Sequence, residues 1–541
     1  MEGADHDDAA RRVAIARRLG ELGDFLQARA AAGEVPRAGA SRPYGKYPAR
    51  EFDYLAELDA LEDFIEPQPD RVADEVAAFF RGAQRPESKL CLFNLNALPT
   101  VDATAAACLS LIANVNGLMD AFAGEALLAE QKVARTIGRW AGWPQAMGIS
   151  CGGGKATMIY ALRCAIARAD PDAARNGISR PMVVLCSAGA HYSVEHVASI
   201  AGLGSGQVRR VALDRRGAMR ADSLRDVLDD AHADGALVAA IMCSGGTVID
   251  FCCDDLVEVH RIAREHSARH DVTMPYLHFD SVIGWLYLSL RGLPESLVEG
   301  MLGSGAGRER ADEVLARAAG LEHFDSLGVD LHKTGMCPYA SSFFVGRDRG
   351  FMDALGDGSY AYGDVDFRSG SFRTYRFTLE NTRSTQGTLA AWVNLVGLGR
   401  RGLGAYLADL HEGRDGLEAA LHRHGRFAAL NTSSLGWEVV FDIPQPSSIG
   451  ASYREFAISF MEHCWARVAR GEGLPLFSIV PEYQIDHQPE LSRVAFVLYP
   501  MGSRASQEWD WVVRSISEAL DEFASEGATR ASRTGWERPI R

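Results

Sequence analysis

The chain has 541 residues, of which 47% are hydrophobic and 23% charged, as in ordinary globular proteins with about two to four domains. A net charge of −15 argues against a nucleic-acid surface as the main function, and no apolar run is long enough to span a membrane. The acidic N-terminal segment lacks the apolar core of a signal peptide, and the ten cysteines show no metal-type Cys/His spacing. We therefore expect a cytoplasmic protein with reduced thiols and no metal site.

The N-terminal part predicts helices and connecting segments. A helix is expected over residues 9–33, and the Pro-, Gly-, Arg- and Tyr-rich residues 34–50 indicate a linker or wrapping arm. Further helices are predicted over 53–82 and, in two pieces, over 103–142. The segment 90–103 between them begins as an apolar extended stretch and ends in a polar loop.

From residue 146 onwards, short apolar segments alternate with helical ones. The clearest predicted strand covers 182–187, and the segments QVRRVALD, ALVAAIMCS and PYLHFD follow the same pattern. Such alternation predicts a largely parallel sheet covered on both faces, with the ligand at the carboxyl ends of its strands. Residues 303–321, Gly-rich and then charged, predict an exposed helical excursion, and 407–541 predict an α+β C-terminal domain.

The pair His332-Lys333 lies between two apolar runs, Leu327–Leu331 and Tyr339–Val345. A lysine that enters a core loses hydration, which favours a neutral and nucleophilic amine. Such an amine can form a Schiff base with an aldehyde cofactor. From this segment alone, a structural lysine and a catalytic lysine are equally good interpretations.

Other residues invite a functional and a structural interpretation at the same time. The run Gly152-Gly153-Gly154 opens a helix, where bare N–H groups suit a phosphate, although a tight turn explains such a run equally well. Asp280 ends the strand LHFD and, if buried, needs a cation or a strong donor. His191 in AGAHYSVEH is placed to stack on a ring or to serve as an ordinary loop histidine, and Thr247 in GGTVID is a loop hydroxyl.

The order of these parts resembles the pyridoxal-phosphate-dependent amino-acid decarboxylases of group II, which include glutamate, aromatic-amino-acid and tyrosine decarboxylases. The sharpest matches are AHYSVEH, HFD and DLHK, and the resemblance covers residues 90–400. It implies an α/β, aminotransferase-like fold of type I, with a mainly parallel sheet and a smaller α+β C-terminal domain. The implied parts are an N-terminal helix and arm (1–50), a helical segment contributing to the dimer and the active site (51–115), a large cofactor domain (116–400) and a small domain (401–541).

The resemblance also implies roles for individual residues. Lys333 would hold pyridoxal phosphate covalently, Asp280 would pair with the ring nitrogen, and His191 would stack on the ring. The phosphate would be held by Gly152, Gly153, Gly154, Lys155, Thr247 and His332. Substrate contacts are expected from Thr100, Leu98 and Trp285, and the acid that protonates the product would be Tyr360 or Tyr362.

Two departures from the family pattern concern the phosphate. A hydroxyl and an acid usually stand where this chain has Gly154-Lys155, and the usual asparagine is Asp330 here. Ser150 or Lys155 would compensate for the lost hydroxyl and acid, and Lys155 is also the expected partner of Asp330.

The resemblance implies a homodimer with shared active sites that converts a small amino-acid substrate to the amine and carbon dioxide. Two alternatives stay open. One is decarboxylation coupled to oxidative deamination, which yields an aldehyde, and the other is a catalytically silent binding protein.

Overall fold

The structure, a computed structural model, describes residues 2–31, 54–61, 66–79, 90–95, 97–356, 372–470, 472–501 and 509–526. The first part of the chain is helical. Its helices are α1 Glu2–Ala31, α2 Tyr54–Asp59, α3 Val72–Phe79, α4 Val101–Ala113, α5 Asp120–Ala123 and α6 Glu125–Trp140. The helix predicted over 9–33 is confirmed up to residue 31, and residues 32–33 lie outside the described part. The single helix predicted over 53–82 is wrong, because two separate helices, α2 and α3, are found there.

The central part alternates strands with helices, as predicted. Its strands are β1 Met147–Cys151, β2 Met182–Ser187, β3 Val208–Val211, β4 Leu237–Ser244, β5 Tyr276–Asp280, β6 Ser326–Asp330 and β7 Ser342–Gly346. Its helices are α7 Gly154–Ala169, α8 Ala173–Asn176, α9 Ser193–Ile200, α10 Ala221–Ala233, α11 Leu256–His270, α12 Trp285–Leu288, α13 Glu295–Leu302, α14 Ala306–Arg317, α15 Leu331–Thr334 and α16 Gly350–Leu355.

These seven strands form one sheet in the order β1-β7-β6-β5-β4-β2-β3. Strands β3, β2, β4, β5 and β6 pair in parallel, whereas β7 is antiparallel to both of its neighbours, β1 and β6. Every residue of β2, β6 and β7 is buried, which explains their continuous apolar sequences. The predicted, largely parallel sheet is confirmed, and its strand ends bring distant loops to one edge.

The charged segment 303–321 does not leave the body of the protein as the sequence predicts. Helix α14 buries Ala311 and Val314, and Arg310 on the same helix donates a hydrogen bond to the side chain of Asp415 at 2.6 Å. The expectation of an exposed excursion is wrong, because the apolar positions of this helix face inward while its charges pair along the rim.

The C-terminal part begins with α17 Gln386–His424, a helix with non-helical backbone at Gly399, where φ is 57°. The elements that follow are β8 Ala428–Ala429, β9 Val439–Asp442, α18 Tyr453–Arg470, β10 Ser478–Gln484, β11 Ser492–Leu498 and α19 Trp509–Glu526. The strands form an antiparallel sheet in the order β10-β11-β9-β8. The predicted α+β layer is confirmed, and α17 runs across the domain boundary expected at residue 400.

Candidate active site

A cavity of about 770 Å³ lies where the loops after the central strands meet the C-terminal sheet. Six residues expected from the sequence line it together: Gly154, Lys155, His191, Thr247, Asp280 and Lys333. A groove of about 900 Å³ elsewhere is lined by Arg163, Arg168, Arg175 and Arg347 and contains none of these six. The chemistry-bearing side chains therefore identify the smaller cavity as the candidate active site.

Lys333 stands on the one-turn helix α15, which begins directly after the buried strand β6. Its Nζ lies 3.0 Å from Oδ2 of Asp330, a carboxylate with an exposed fraction of only 1%. The other oxygen, Oδ1, accepts a hydrogen bond from the hydroxyl of Ser342 at 2.5 Å. The strands β6 and β7 on both sides of Lys333 are buried as expected, but a buried carboxylate lies beside its amine.

Asp280 ends β5 and faces the same cavity. Among the residues that the structure describes, none forms a hydrogen bond with its buried Oδ1. Burial raises the pKa of Asp280 to about 6, and the positive charge of Lys333 opposes part of this rise. A buried carboxylate oxygen without a partner is costly, so this position suits a ligand that brings an N–H donor.

His191 lies in the loop between β2 and α9 and is exposed toward the cavity. Its Nδ1 is 2.7 Å from the hydroxyl of Ser193. Burial, followed by the positive charge of Lys333, lowers the pKa of His191, which favours the neutral ring. A neutral ring held by one nitrogen and open to a cavity can stack on a flat ligand.

The loop that carries His191 is held by Arg210 on β3. The guanidinium donates to the backbone oxygens of Ser187, Ala188 and Ala190 at 3.0–3.2 Å, and it also forms a bidentate pair with Glu195. These bonds tie both ends of the loop to one strand. The sequence analysis missed Arg210, since an arginine within a strand carries no motif of its own.

The glycine run connects β1 to α7, and its members differ in their surroundings. A side chain at Gly152 or Gly153 would meet open space, whereas a Cβ at Gly154 would lie 2.9 Å from Val282 Cγ1 and 3.1 Å from Asp330 Oδ2. The two departures from the family pattern therefore lie next to each other, and a side chain at Gly154 would crowd Asp330.

Lys155 does not pair with Asp330 as expected; its Nζ lies 2.8 Å from Nδ1 of His196. Asp330 is paired with Lys333 instead. The chain thus compensates the buried acid with the lysine of α15, while Lys155 remains at the cavity wall as a separate positive charge.

Two further residues expected at the phosphate have structural partners. Thr247 lines the cavity, and its hydroxyl donates to the carbonyl of Ile249 at 2.6 Å and accepts from the N–H of Cys252 at 2.9 Å. His332 is buried, with Nδ1 3.1 Å from the carbonyl oxygen of Ser341, and it is not part of the cavity wall.

The expected substrate contacts are not brought to the cavity by this chain. Thr100 caps α4 and donates to Asn394 Oδ1 at 2.7 Å, and Leu98 is exposed at the surface. Trp285 is fully buried and donates its indole N–H to the carbonyl of Asp330, so the prediction that it lines a substrate pocket is corrected. Tyr360 and Tyr362 lie outside the described residues.

The C-terminal sheet supplies one wall of the cavity, which the sequence analysis did not foresee. Ile479, Val480 and Glu482 on β10, and Val497 on β11, line it together with Tyr499. These residues carry no recognisable motif, and only the docking of the two sheets places them beside Lys333.

The fold and the site together define a pyridoxal-phosphate-binding protein of fold type I. Residues 70–288 match the model of the pyridoxal-dependent decarboxylase conserved domain. Its cofactor is pyridoxal phosphate. Oδ1 of Asp280, which has no hydrogen-bond partner among the described residues, fits the protonated ring nitrogen of that group, and Lys333 in the same cavity fits its aldehyde.

Comparisons with individual proteins agree with this assignment. Human cysteine sulfinic acid decarboxylase is 29% identical over 160 residues, which cover 29% of this chain and 31% of that protein. The L-2,4-diaminobutyrate decarboxylase of Rhizobium meliloti is 29% identical over 225 residues, covering 41% of this chain and 39% of the relative. These matches thus span about a third of the length of the curated relatives.

A solved structure, mouse CSAD in its apo form, shares the fold with a TM-score of 0.74 at 17% identity, covering 94% of this chain and 99% of that one. Within the part of the chain that the structure describes, no helix combines the length and the apolar character that crossing a lipid bilayer requires.

Proposed function

We propose that this protein is a pyridoxal-phosphate-dependent decarboxylase that converts an amino acid to the corresponding amine and carbon dioxide. The observation that carries the proposal is the cavity shared by Lys333 and by Asp280, whose Oδ1 has no hydrogen-bond partner within the described part of the chain. When bound, pyridoxal phosphate supplies an electron sink for the electron pair released as the bond to the carboxylate breaks.

Different residues of the cavity would hold different parts of the cofactor. Lys333 would hold the cofactor aldehyde, and the carboxylate of Asp280 would accept the ring N–H and keep that proton in place. His191, neutral and fixed through Ser193, would cover one face of the ring. The N–H groups of Gly152–Gly154, with Lys155, would receive the phosphate, since α7 begins there.

The substrate carboxylate would face apolar side chains. Val282, Ile283, Ile479 and Val497 share the cavity with Lys333 and carry no hydrogen-bond donor in their side chains. Such walls stabilise neutral carbon dioxide relative to a carboxylate, so they favour its loss. After that loss, Tyr360 or Tyr362 would return a proton to the carbon.

The proposal includes a homodimer located in the cytoplasm. The segment 98–128 exposes six large apolar side chains, and such exposure is typical of a surface covered by a partner. These residues are Leu98, Val101, Leu109, Leu111, Phe122 and Leu128. The ten cysteines are all free, nine of them buried, which supports a reducing compartment. Light scattering tests the dimer, and a monomer at working concentration would contradict it.

Incubation with a panel of amino acids and pyridoxal phosphate, followed by mass spectrometry, tests the activity. We expect an amine lighter than its parent by one carbon dioxide, and no product from Lys333→Ala. Glu482→Gln, an exposed carboxylate on the same cavity, is the matched control and should retain turnover. An aldehyde product would show decarboxylation coupled to oxidative deamination instead. A protein that stays colourless with added cofactor would indicate the catalytically silent binding protein.

A further inference from the structure

The ends of α10 and α11 bring together three potential metal ligands outside the cavity. Asp229 belongs to α10, and His266 and His270 occupy successive turns of α11. Oδ1 of Asp229 lies 3.1 Å from Nδ1 of His266 and 3.5 Å from Nε2 of His270. All three ligand atoms lie within 4.8 Å of one another.

These spacings agree with the geometry of a tetrahedral zinc ion. For ligand bonds of about 2.0–2.1 Å, two neighbouring ligand atoms in a tetrahedron are about 3.3–3.4 Å apart. The two distances from the aspartate oxygen lie on either side of this value, so a Zn²⁺ ion fits after small side-chain movements. Imidazole nitrogens and a carboxylate oxygen are also the ligand types that zinc accepts.

One buried polar atom of the cluster has no hydrogen-bond partner among the described residues. Nε2 of His270 is shielded from solvent, and within the described residues it has no hydrogen-bond partner, although Asp229 Oδ1 is 3.5 Å away. The side chain of His266 is 6% exposed. A polar nitrogen in this position costs free energy unless a ligand takes up its lone pair or proton.

The surrounding charges leave room for a cation. Arg269 approaches Oδ2 of Asp229 at 3.4 Å and leaves Oδ1 to the two imidazoles. Helix α11 ends at His270, and the ring of His232, in the last turn of α10, lies against the His270 ring with centroids 4.0 Å apart and planes tilted by 38°. The cluster thus lies near the C-termini of two helices, whose partial negative charge favours a bound cation.

We propose that Asp229, His266 and His270 form a zinc site that joins α10 to α11, with a water molecule as the fourth ligand. None of these residues lines the candidate active site, so the zinc site stands apart from the proposed decarboxylation. The sequence analysis expected no metal because the ligands come from two helices: one carboxylate on the first, and two histidines four residues apart on the second.

The proposal is tested by calorimetry, in which Zn²⁺ is titrated into the full chain loaded with pyridoxal phosphate. We expect one saturable site per chain, and visible bands of four-coordinate Co²⁺ when that ion replaces zinc. His270→Ala should weaken Zn²⁺ binding by about 100-fold, since loss of a ligand costs at least as much as loss of its supporting partner. Asp229→Asn should act in the same direction, and because this side chain is half-exposed, the substitution should leave the fold intact.

The matched control is His260→Ala on the same helix. His260 stacks on His323 at 4.3 Å and is not part of the three-ligand cluster. Retained binding in this variant, together with loss in both ligand variants, supports the site. A wild-type protein without a saturable Zn²⁺ site, or ligand variants that bind Zn²⁺ as the wild type does, would overturn it.

Discussion

The carboxylate of Asp280 should make the cofactor-free protein less stable, so Asp280→Asn should stabilise that form while removing activity. Burial raises the pKa of Asp280 from 3.8 to about 6. Each pKa unit corresponds to about 1.4 kcal/mol, so ionisation of Asp280 lowers the free energy of unfolding by about 3 kcal/mol. The neutral amide avoids this cost, although it cannot hold the ring nitrogen of the cofactor in its protonated state.

The direction of the Asp280 pKa shift determines the pH range in which Asp280→Asn should be more stable than the wild type. Below 3.8 the carboxyl is protonated in both the folded and the unfolded chain, and its contribution to stability is intact. As the pH rises toward about 6, the unfolded chain releases the proton while the folded chain retains it, and that contribution is lost. The advantage of Asp280→Asn should therefore grow from almost nothing near pH 4 to its full value near pH 7.

Urea unfolding of the cofactor-free protein at several pH values measures this advantage. Glu482→Gln serves as the control, because this exposed carboxylate on the same cavity should change stability by less than about 0.5 kcal/mol at any pH. The same samples, loaded with cofactor, should show Asp280→Asn turnover lower by orders of magnitude. A variant that is less stable than the wild type at pH 7, or equally stable at every pH, would refute the reasoning.

Other substitutions test the supports of the site. Arg210→Leu should loosen the His191 loop and raise the half-saturating pyridoxal phosphate concentration about tenfold, about 1.4 kcal/mol, and an unchanged absorbance titration would contradict this. Arg383→Met should lower the unfolding free energy by about 3–5 kcal/mol because it strands the buried Glu130, and adding Glu130→Leu should restore much of the loss in urea melts. Gly154→Ser should cost about 1–3 kcal/mol through overpacking; a melting temperature equal to that of the wild type would count against it.

The sequence predicted the central sheet well because its strands are continuous apolar runs, as β2 illustrates. It also predicted which loops converge, since the carboxyl ends of parallel strands meet at one edge. It could not predict the partner of Lys333. Asp330 is three residues away, and the sequence does not show whether the turn between them brings the two side chains together. Trp285 was misplaced because an aromatic residue after a strand-end acid suits a pocket and a core equally well, and only packing decides between them.

The wall contributed by β10 and β11 has a consequence for the order in which the protein is made. The cavity is lined from Phe93 to Tyr499, so its first and last contributors are synthesised far apart in time. Contacts between such distant parts of a chain form late in folding, because the intervening chain must first be ordered. A growing polypeptide can thus complete the central sheet, and even expose Lys333, well before it has a closed cavity in which to retain its cofactor. Binding of the cofactor should accordingly follow synthesis of the C-terminal strands.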